Sequence, residues 1–344
     1  MANTRLSDLA AELGLNASTV SRALKGDPRI KVETRSRVLT MASAMGYRPN
    51  LAARSLAEGC TRTIWFIIPG LENAVDREPA SWAGSYLLSK GYDLLLAQHH
   101  NDLAVYERIL HRLSSGLADG AVVIPHPDSS GTLETEIRNA GIPLIFLDRK
   151  LASVPIPVVT TDNSGAVDAM VEQLVLGRKA EGLSISGLID AFGLEWSNPV
   201  ELARSEGLYR AGKKFGLPVL SFDDLSSVST VTGDFMGAKW ALLCTDTSRL
   251  DAQIEFSVQA LALASKQNMD IGIFDGCRGP GPECGRIVTV IQDFESMAIR
   301  ASEIVLSELD GGTDSTVDGD IYRTGEELRI PAKKILELRT SNAD

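Results

Sequence analysis

The sequence is poor in the residues that build disulfide frameworks and metal sites. Its 344 residues include four cysteines and four histidines, and aromatic residues make up 6% of the chain. Cys60, Cys244, Cys277 and Cys284 lack the paired spacing of zinc sites, so we expect free thiols in a reducing compartment. A disulfide between Cys277 and Cys284 is the alternative. The histidines lack an i, i+4 pair, and we expect neither a metal nor another cofactor.

Long apolar runs are also missing. The longest, residues 64–69, is far shorter than the roughly 18 residues that span a bilayer. The first residues, MANTRLSDLAAEL, contain neither the apolar region nor the cleavage site of a secretory signal. We therefore expect a cytoplasmic protein with no membrane partner.

Signals of catalysis are absent as well. The glycine-rich stretch 276–285 follows an apolar run, but Pro280 and Pro282 have no N–H to offer a phosphate. Residues 182–187 resemble a nucleophile elbow but miss its spacing. No acid and base residues stand out as a pair. The sequence thus favours a binding protein over an enzyme.

Charge is unevenly distributed along the chain. The net charge is −11, yet residues 1–62 carry ten Lys/Arg and five Asp/Glu and are net +5, which leaves −16 for the remainder. A basic head on an acidic body indicates a polyanionic partner for the head alone.

The head is predicted to contain three short helices. Apolar residues recur at helical spacing over 6–13, and Gly14 supplies a stop. Asn16 is placed to cap the next helix, whose Val20 and Leu24 would face inward. A third helix is predicted over 32–44, with Val38, Leu39, Ala42 and Met45 as its apolar stripe. Two helices joined by a glycine-containing turn are typical of a helix-turn-helix, although a small helical bundle without a DNA role has the same pattern.

A short helix is predicted over residues 51–57, after Asn50 and before Gly59. Two helical turns are marginal in water, so such a helix can form on demand and act as a switch. Together the residues 19–22 (TVSR), 46–50 (GYRPN) and 53–56 (ARSL) resemble the DNA-binding head and hinge of the lactose-repressor (LacI/GalR) family. The likeness covers the first sixty residues almost without gaps.

The resemblance implies a role for individual head residues. Base contacts would come from Ala17, Ser18 and Arg22. Contacts to the DNA backbone would come from Thr19, Ser21, Lys25, Arg29 and Tyr47. In the hinge, Asn50 would cap the helix, Ala53 would lie within it, and Leu56 would be a wedge in the minor groove of a palindrome. The alternative for Leu56 is a packing residue of a linker helix.

The remainder alternates between strands and helices, which predicts parallel sheets with helices on both faces. Its length implies two such sheets. Strands are predicted at 64–68, 92–97, 120–124, 143–147, 182–186, 271–274, 287–290 and, as the last, 327–330. Helices are predicted at 81–89, 103–114, 133–140, 166–176, 201–215, 254–266 and 295–309.

This body is similar to the family's effector domain, a two-lobed α/β fold of the type I periplasmic-binding-protein kind, which binds a small ligand between its lobes. The likeness rests on residues 145–149 (IFLDR), 161–166 (TDNSGA), 233–235 (GDF) and 289–293 (TVIQD). It implies effector contacts from Asp148, Arg204, Phe235, Asp246, Asp275 and Gln292. Carboxylates, an amide, an arginine and an aromatic ring suit a sugar or sugar derivative. Strand-end caps, a surface ion pair and a core aromatic are the alternatives for these residues.

The segments 70–80, 190–199 and 244–253 depart from the family pattern, so the resemblance does not identify the effector. The expected domains are a helix-turn-helix head (1–49), a hinge (50–60) and a body (61–344). Lobe 1 would comprise about 61–161 and 293–325, and lobe 2 about 162–290 and 326–344.

The predicted function is a DNA-binding transcription regulator, a repressor, that acts as a homodimer on palindromic double-stranded DNA under the control of a small carbohydrate effector. Release and recruitment of DNA by the effector are both compatible with the sequence. The alternative is a sugar-binding or sugar-metabolising α/β protein with an appended regulatory head. The C-terminus lacks sustained heptads, which favours a dimer over a tetramer.

Overall fold

The computed structural model describes residues 4–48, 53, 55, 59–151, 154–192, 199–221, 240–245, 270–274, 286–311 and 327–339. The chain divides into two compact units, Met1–Thr61 and Arg62–Asp344. Cys60 and Cys244 are free thiols. None of the helices in the described ranges is long and apolar enough to cross a membrane.

The head is built of three helices around a small apolar core. They are α1 (Leu6–Leu13), α2 (Ala17–Leu24) and α3 (Val32–Ala44). Leu9 from α1, Val20 from α2 and Val38 from α3 are fully buried against one another. Gly14 ends α1 in the left-handed conformation, with φ 63°, which glycine adopts without strain. The three helices thus confirm the predicted all-α head.

Two details of the head differ from the prediction. Asn16 occupies the N-cap position of α2, but its side chain makes no capping hydrogen bond. Leu39 was placed in the apolar stripe of α3, yet half of its surface is exposed. The core is filled from α3 mainly by Val38 and Ala42 because the two shorter helices cover only that face.

The body contains two six-stranded sheets, which confirms the predicted two-lobed α/β class. The first sheet has the order β11-β5-β4-β3-β1-β2 and is parallel throughout. The second has the order β12-β10-β9-β8-β6-β7, with only β12 antiparallel. We call the first sheet with its helices lobe 1 and the second with its helices lobe 2.

The elements of lobe 1 are β1 (Thr63–Ile68), α4 (Ala74–Ser89), β2 (Asp93–Gln98), α5 (Leu103–Arg112, which continues into a π-turn at Leu113–Leu117), β3 (Gly120–Val123), α6 (Thr132–Asn139), β4 (Leu144–Leu147), β5 (Val158–Thr161), α9 (Phe294–Leu309) and β11 (Glu327–Ile330). The described elements of lobe 2 are α7 (Asn163–Ala180), β6 (Gly187–Asp190), α8 (Pro199–Phe215), β7 (Val219–Ser221), β8 (Trp240–Cys244), β9 (Asp270–Phe274), β10 (Arg286–Ile291) and β12 (Lys334–Arg339).

Successive residues of β1 enter different cores. Ile64, Phe66 and Ile68 pack against α4 and α9, whereas Trp65 and Ile67 pack against α5 and α6. Both faces of the first sheet are therefore covered, which is why its inner strands read as continuous apolar runs in the sequence.

The strand predicted at 182–186 is wrong. Helix α7 extends to Ala180, beyond its predicted end, and residues 181–183 are needed to terminate it. Gly182 has φ 73°, and the N–H groups of Gly182 and Leu183 donate to carbonyls of the last helical turn. The strand follows at Gly187–Asp190.

The bounds of other helices and strands also differ from the prediction. Helix α4 begins at Ala74 and runs through Pro79, whereas the prediction began it after this proline. Strands β5, β7, β8 and β12 were not among the predicted strands, and β12 follows β11, so β11 is not the last strand. The predicted helix at 254–266 lies outside the described residues.

The chain passes between the lobes at three crossovers, and backbone hydrogen bonds connect the crossovers to one another. Asp162 N–H donates to Ile330 O at 2.8 Å, and Lys333 N–H donates to Ile291 O at 2.8 Å. The prediction placed residues 326–344 in lobe 2, but β11 pairs with β5 in lobe 1 and only β12 returns to lobe 2. The chain therefore crosses a third time after β11, between Ile330 and Lys334.

Candidate nucleic-acid interface and interlobe pocket

Helix α2 separates a buried face from an exposed polar face. Val20 and Ala23 are buried, at 0% and 1% exposure. Ala17, Ser18 and Arg22, the three residues predicted to contact bases, are all exposed. Their spacing of one, four and five residues places them on one side of a helix. The exposed side of α2 is therefore small, polar and positively charged at its C-terminal end.

The residues predicted to contact the DNA backbone differ in exposure. Lys25 and Arg29 are exposed, whereas Thr19, Ser21 and Tyr47 are half-buried. Tyr47 packs against the head core, and its N–H donates to Ala42 O at 2.8 Å. The exposed basic residues of the head are Arg5, Arg22, Lys25, Arg29, Lys31, Arg37 and Arg48.

One residue of this surface was missed by the sequence analysis. Asp27 lies between α2 and α3, and its carboxylate accepts hydrogen bonds from Arg29, which hold the pKa of Asp27 down to about 2. The charge of Arg22 lowers the same pKa further. An acid two residues before an arginine in a turn is the signal that could have found it, because Asp side chains accept from the backbone two residues on.

The hinge is described only in part. Ala53 and Ser55 have helical backbone, and Ala53 is exposed. Asn50 and Leu56, predicted as cap and wedge, lie outside the described residues.

A pocket of about 240 Å³ lies between the two lobes. This equals about eight water molecules at roughly 30 Å³ each, the scale of a small polar ligand. Segment 148–150 and strands β5 and β11 line it from lobe 1, and the first turns of α8 line it from lobe 2. Its charged lining residues are Asp148, Arg149, Lys150, Glu206, Glu327 and Arg329.

The acids and bases of this pocket partly neutralise one another. Glu327 accepts from Lys150 Nζ at 2.9 Å and from Arg329 Nε at 3.2 Å, and these partners lower its pKa against the opposing effect of burial. Arg149 Nε lies 3.6 Å from the Asp148 carboxylate. The lining thus presents charge of both signs rather than a field of one sign.

Asp148 is positioned by its backbone. It directly follows β4 with a φ of 69°, a left-handed conformation that is uncommon outside glycine. Its N–H donates to Val159 O, and its carbonyl accepts from the hydroxyl of Thr160 at 2.7 Å. Non-glycine residues in this conformation cluster at ligand sites. The predicted effector residue therefore lies at the pocket, 8% exposed.

Arg204 lies beneath the pocket rather than in its lining. Its side chain extends from α8 and is 3% exposed. Its Nε donates to Asn163 Oδ1 at 2.8 Å, and a terminal guanidinium nitrogen donates to the hydroxyl of Thr245 at 3.3 Å. Its guanidinium carbon lies 3.7 Å from the centre of the Phe274 ring. Asn163 does line the pocket. Arg204 thus reaches the pocket through Asn163.

Gln292 lies at the second crossover and is 2% exposed. Its side-chain oxygen accepts from the hydroxyl of Thr161 at 2.5 Å, which joins the second crossover to the first. Its burial explains why it is absent from the pocket lining. The remaining predicted effector residues, Phe235, Asp246 and Asp275, lie outside the described residues.

Asp76 was also missed. It lies in the first turn of α4, is 5% exposed, and has its pKa raised to about 6 by burial and then by the charge of Asp148. The charge of Arg149 opposes this rise. The proline at 79 hid the residue, because the predicted helix began after it. A buried carboxyl with a perturbed pKa beside Asp148 is a candidate site residue.

Residues 5–50 match the family model described as bacterial regulatory proteins, lacI family. The chain is 27% identical over 218 residues to catabolite control protein A of Priestia megaterium, an alignment that covers 63% of each chain. It is 29% identical over 187 residues to the HTH-type transcriptional regulator MalR of Streptomyces coelicolor, covering 53% of this chain and 54% of the relative. The chain therefore matches less than two thirds of the length of either relative.

Two solved structures share the fold. One is the lac repressor dimer bound to operator and the anti-inducer ONPF, with a TM-score of 0.72, 15% identity, and coverage of 97% of this chain and 98% of that one. The other is the Cra transcriptional dual regulator from Pseudomonas putida in complex with fructose 1-phosphate, with a TM-score of 0.57, 19% identity, and coverage of 82% and 100%.

Proposed function

We propose that the chain is a member of the lacI family of bacterial regulatory proteins, whose family model matches residues 5–50, and that it is a sequence-specific DNA-binding transcription regulator that represses its target genes. The observation that carries this proposal is the exposed polar face of α2, with Ala17, Ser18 and Arg22 on a helix whose other face is buried. The second helix of a helix-turn-helix enters the major groove and contacts base edges.

The proposed base contacts differ in strength. Arg22 can donate two parallel hydrogen bonds to a guanine, worth roughly 1–3 kcal/mol of discrimination. Ala17 and Ser18 are short and offer a methyl contact and a single hydroxyl, so Arg22 carries most of the direct readout. Thr19, Ser21, Lys25, Arg29 and Tyr47 are assigned to the phosphates, which set the register of the head on the duplex.

The hinge is proposed to complete recognition in a homodimer. Asn50 caps a short helix that includes Ala53, and Leu56 enters the minor groove at the centre of a palindrome. The second copy of the chain is proposed to dock on lobe 1. Trp82 and Leu88 of α4 are 42% and 68% exposed, and Leu95, at 41%, lies on the edge strand β2.

The pocket between the lobes is proposed to bind a sugar or sugar derivative that controls DNA binding. Its mixture of carboxylates, cations, an amide and apolar groups suits a polyhydroxylated ligand. Asp148 contributes from the lining and Arg204 acts through Asn163. Gln292, Phe235, Asp246 and Asp275 are assigned from the sequence. The Cra neighbour holds a phosphorylated sugar. An effector changes DNA affinity only by the difference between its affinities for the open and the closed arrangement of the lobes, which is typically worth about 1–3 kcal/mol.

The protein is further proposed to act in the cytoplasm and to catalyse no reaction on its ligand. The relatives it matches are named as regulators. A chromatographic assay of the effector before and after incubation tests this part. Recovery of unchanged ligand is expected, and its conversion would make the protein an enzyme.

DNA binding is tested by selecting duplexes from a random pool and measuring the enriched sequence in gel shifts. We expect a palindrome, a discrete shifted band, and loss of selectivity in Arg22→Ala. Equal affinity for enriched and random duplexes would refute sequence-specific binding.

The effector is identified by thermal unfolding against a panel of sugars and sugar phosphates. A true ligand at about 100 times its Kd stabilises the protein by about 2.7 kcal/mol. The stabilising ligand must also change the gel shift, because a ligand that leaves DNA affinity unchanged is not an effector.

A further inference from the structure

Arg29 is engaged by a neighbouring carboxylate. Its Nε donates to Asp27 Oδ1 at 3.0 Å, and a terminal nitrogen donates to Oδ2 at 2.8 Å. The backbone N–H of Arg29 also donates to Oδ1, at 2.9 Å. Two parallel guanidinium–carboxylate bonds use the same fork with which arginine binds phosphate. The carboxylate therefore occupies one edge of the guanidinium that a phosphate would take.

Asp27 is held more firmly than Arg29. Its carbonyl accepts from Arg35 at 2.9 Å and from Ile30 N–H at 3.0 Å, and its own N–H donates to Arg22 O at 3.0 Å. The Asp27 side chain is 13% exposed, whereas the Arg29 side chain is 78% exposed. The acceptor is thus fixed in the turn between α2 and α3, and a phosphate has to compete with it for an exposed guanidinium.

The Asp27 carboxylate carries a negative charge at neutral pH. Hydrogen bonds from Arg29, followed by the charges of Arg29 and Arg22, hold its pKa near 2, so the carboxylate is ionised at neutral pH. Its negative charge therefore lies among basic residues of the surface that is proposed to face DNA.

We propose that Asp27 is a specificity-determining residue of the DNA interface, because its carboxylate restrains Arg29 from binding phosphates that are not fixed in register. The inference rests on the proposed DNA-binding function. Sequence-independent affinity arises from phosphate neutralisation, and the closed Asp27–Arg29 pair has no net charge to contribute. On the operator, base contacts dock the head and hold one phosphate beside Arg29, where it competes continuously with the carboxylate. On other DNA, no phosphate is held there and the pair stays closed.

The expected size of the effect follows from counterion release. One additional neutralised phosphate steepens the dependence of log Kobs on log salt by about 0.9, which at about 0.1 M salt corresponds to roughly an eightfold gain in affinity. Asp27→Asn should therefore raise the affinity for random-sequence duplex by about this factor. The gain on the operator should be smaller, so the ratio of specific to non-specific affinity should fall.

The test compares full-length variants by fluorescence anisotropy on a random-sequence duplex and on the selected operator, over about 50 to 200 mM salt. Asp27→Asn keeps an oxygen that can accept the Arg29 backbone N–H, and circular dichroism checks that the head is folded. Glu33→Gln is the matched control, because it removes one exposed negative charge from the same head without releasing Arg29. A second comparison repeats Asp27→Asn in an Arg29→Ala background.

The inference is supported if Asp27→Asn raises the affinity for random DNA more than Glu33→Gln does. This difference in affinity must also disappear when Asp27→Asn is made in the Arg29→Ala background. Equal gains from Asp27→Asn and Glu33→Gln would overturn the inference, since they would mean a general charge effect. Lower affinity of Asp27→Asn on both duplexes would also overturn it, since Asp27 would then orient Arg29 for binding. If the unaltered protein bound no DNA, the proposed function would fail together with the inference.

Discussion

The raised pKa of Asp76 predicts that this residue destabilises the body at neutral pH. Its pKa in the folded protein is about 6 instead of 3.8, because burial and then the charge of Asp148 disfavour the carboxylate. At about 1.36 kcal/mol for each pH unit, this difference corresponds to about 3 kcal/mol. The folded state therefore binds the proton more tightly than the unfolded chain does. The penalty is complete above pH 6, shrinks as the pH falls through 6, and is absent below 3.8.

Asp76→Asn replaces the carboxylate by a neutral group of the same shape. At pH 8 we expect the free energy of unfolding to rise by up to about 3 kcal/mol. Near pH 4 the substitution should have little effect, because the native carboxyl is then largely protonated. The assay is urea unfolding at several pH values, followed by tryptophan fluorescence, since Trp65 is buried in lobe 1.

Asp93→Asn serves as the control for this experiment. Asp93 begins β2 in the same lobe and is exposed. Its replacement should leave the unfolding midpoint nearly unchanged at every pH. The reasoning is refuted if Asp76→Asn fails to stabilise the protein at pH 8, or if it gives the same gain at pH 4 as at pH 8.

Three further outcomes are expected. Burial lowers the pKa of His99 from 6.5 to about 4, so the unfolded chain takes up the proton first and the free energy of unfolding falls by about 3 kcal/mol as the pH drops from 6.5 to 4. His99→Gln, made in the Asp76→Asn background, should flatten the thermal unfolding profile over this range, and an unchanged profile contradicts the assignment. Leu56→Ala should weaken operator binding far more than random-DNA binding, whereas equal losses would make Leu56 a packing residue. Arg22→Ala should lose about 1–3 kcal/mol of discrimination at one base pair, read by competition with single-base operator variants, and uniform loss at all positions would make it a phosphate contact.

The fold could largely be predicted because its elements are encoded locally. Apolar residues at helical spacing, including Leu9 in α1, Val20 in α2 and Val38 in α3, predicted the three helices of the head. The apolar runs of lobe 1 predicted its inner strands. The error in the strand predicted at 182–186 arose because the residues that end one element shift the start of the next. Helix α7 uses Gly182 as its terminus and thereby moves β6 to Gly187.

Lobe membership near the C-terminus could not be predicted from local pattern. Strands β11 and β12 are separated by three residues, yet they join different sheets. Their partners, β5 and β10, lie more than 165 and about 45 residues earlier in the chain, so their assignment depends on long-range pairing.

The candidate site was predictable in its composition and less so in its geometry. Ala17, Ser18 and Arg22 fall on an exposed face because helical periodicity alone places them there. The burial of Arg204 beneath Asn163 could not be read from spacing, because it depends on the packing of α8 against the start of α7. The engagement of Arg29 by Asp27 is local and was overlooked because Asp27 was counted only as a charge.

The arrangement around Asn163 explains how a ligand in the proposed pocket would act on both lobes. Asn163 lines the pocket, begins α7 immediately after the first crossover, and accepts from Arg204 of lobe 2. Thr161, two residues earlier, donates to Gln292 of the second crossover. A ligand that hydrogen-bonds to Asn163 would therefore compete with its bond from Arg204 within lobe 2 and with its own bond to Thr161 O of lobe 1, at 3.0 Å. The ligand can change DNA affinity only by the difference between its binding free energies for the two arrangements of the lobes. Ligand contacts that leave the Arg204–Asn163 bond intact therefore strengthen ligand binding without changing DNA affinity.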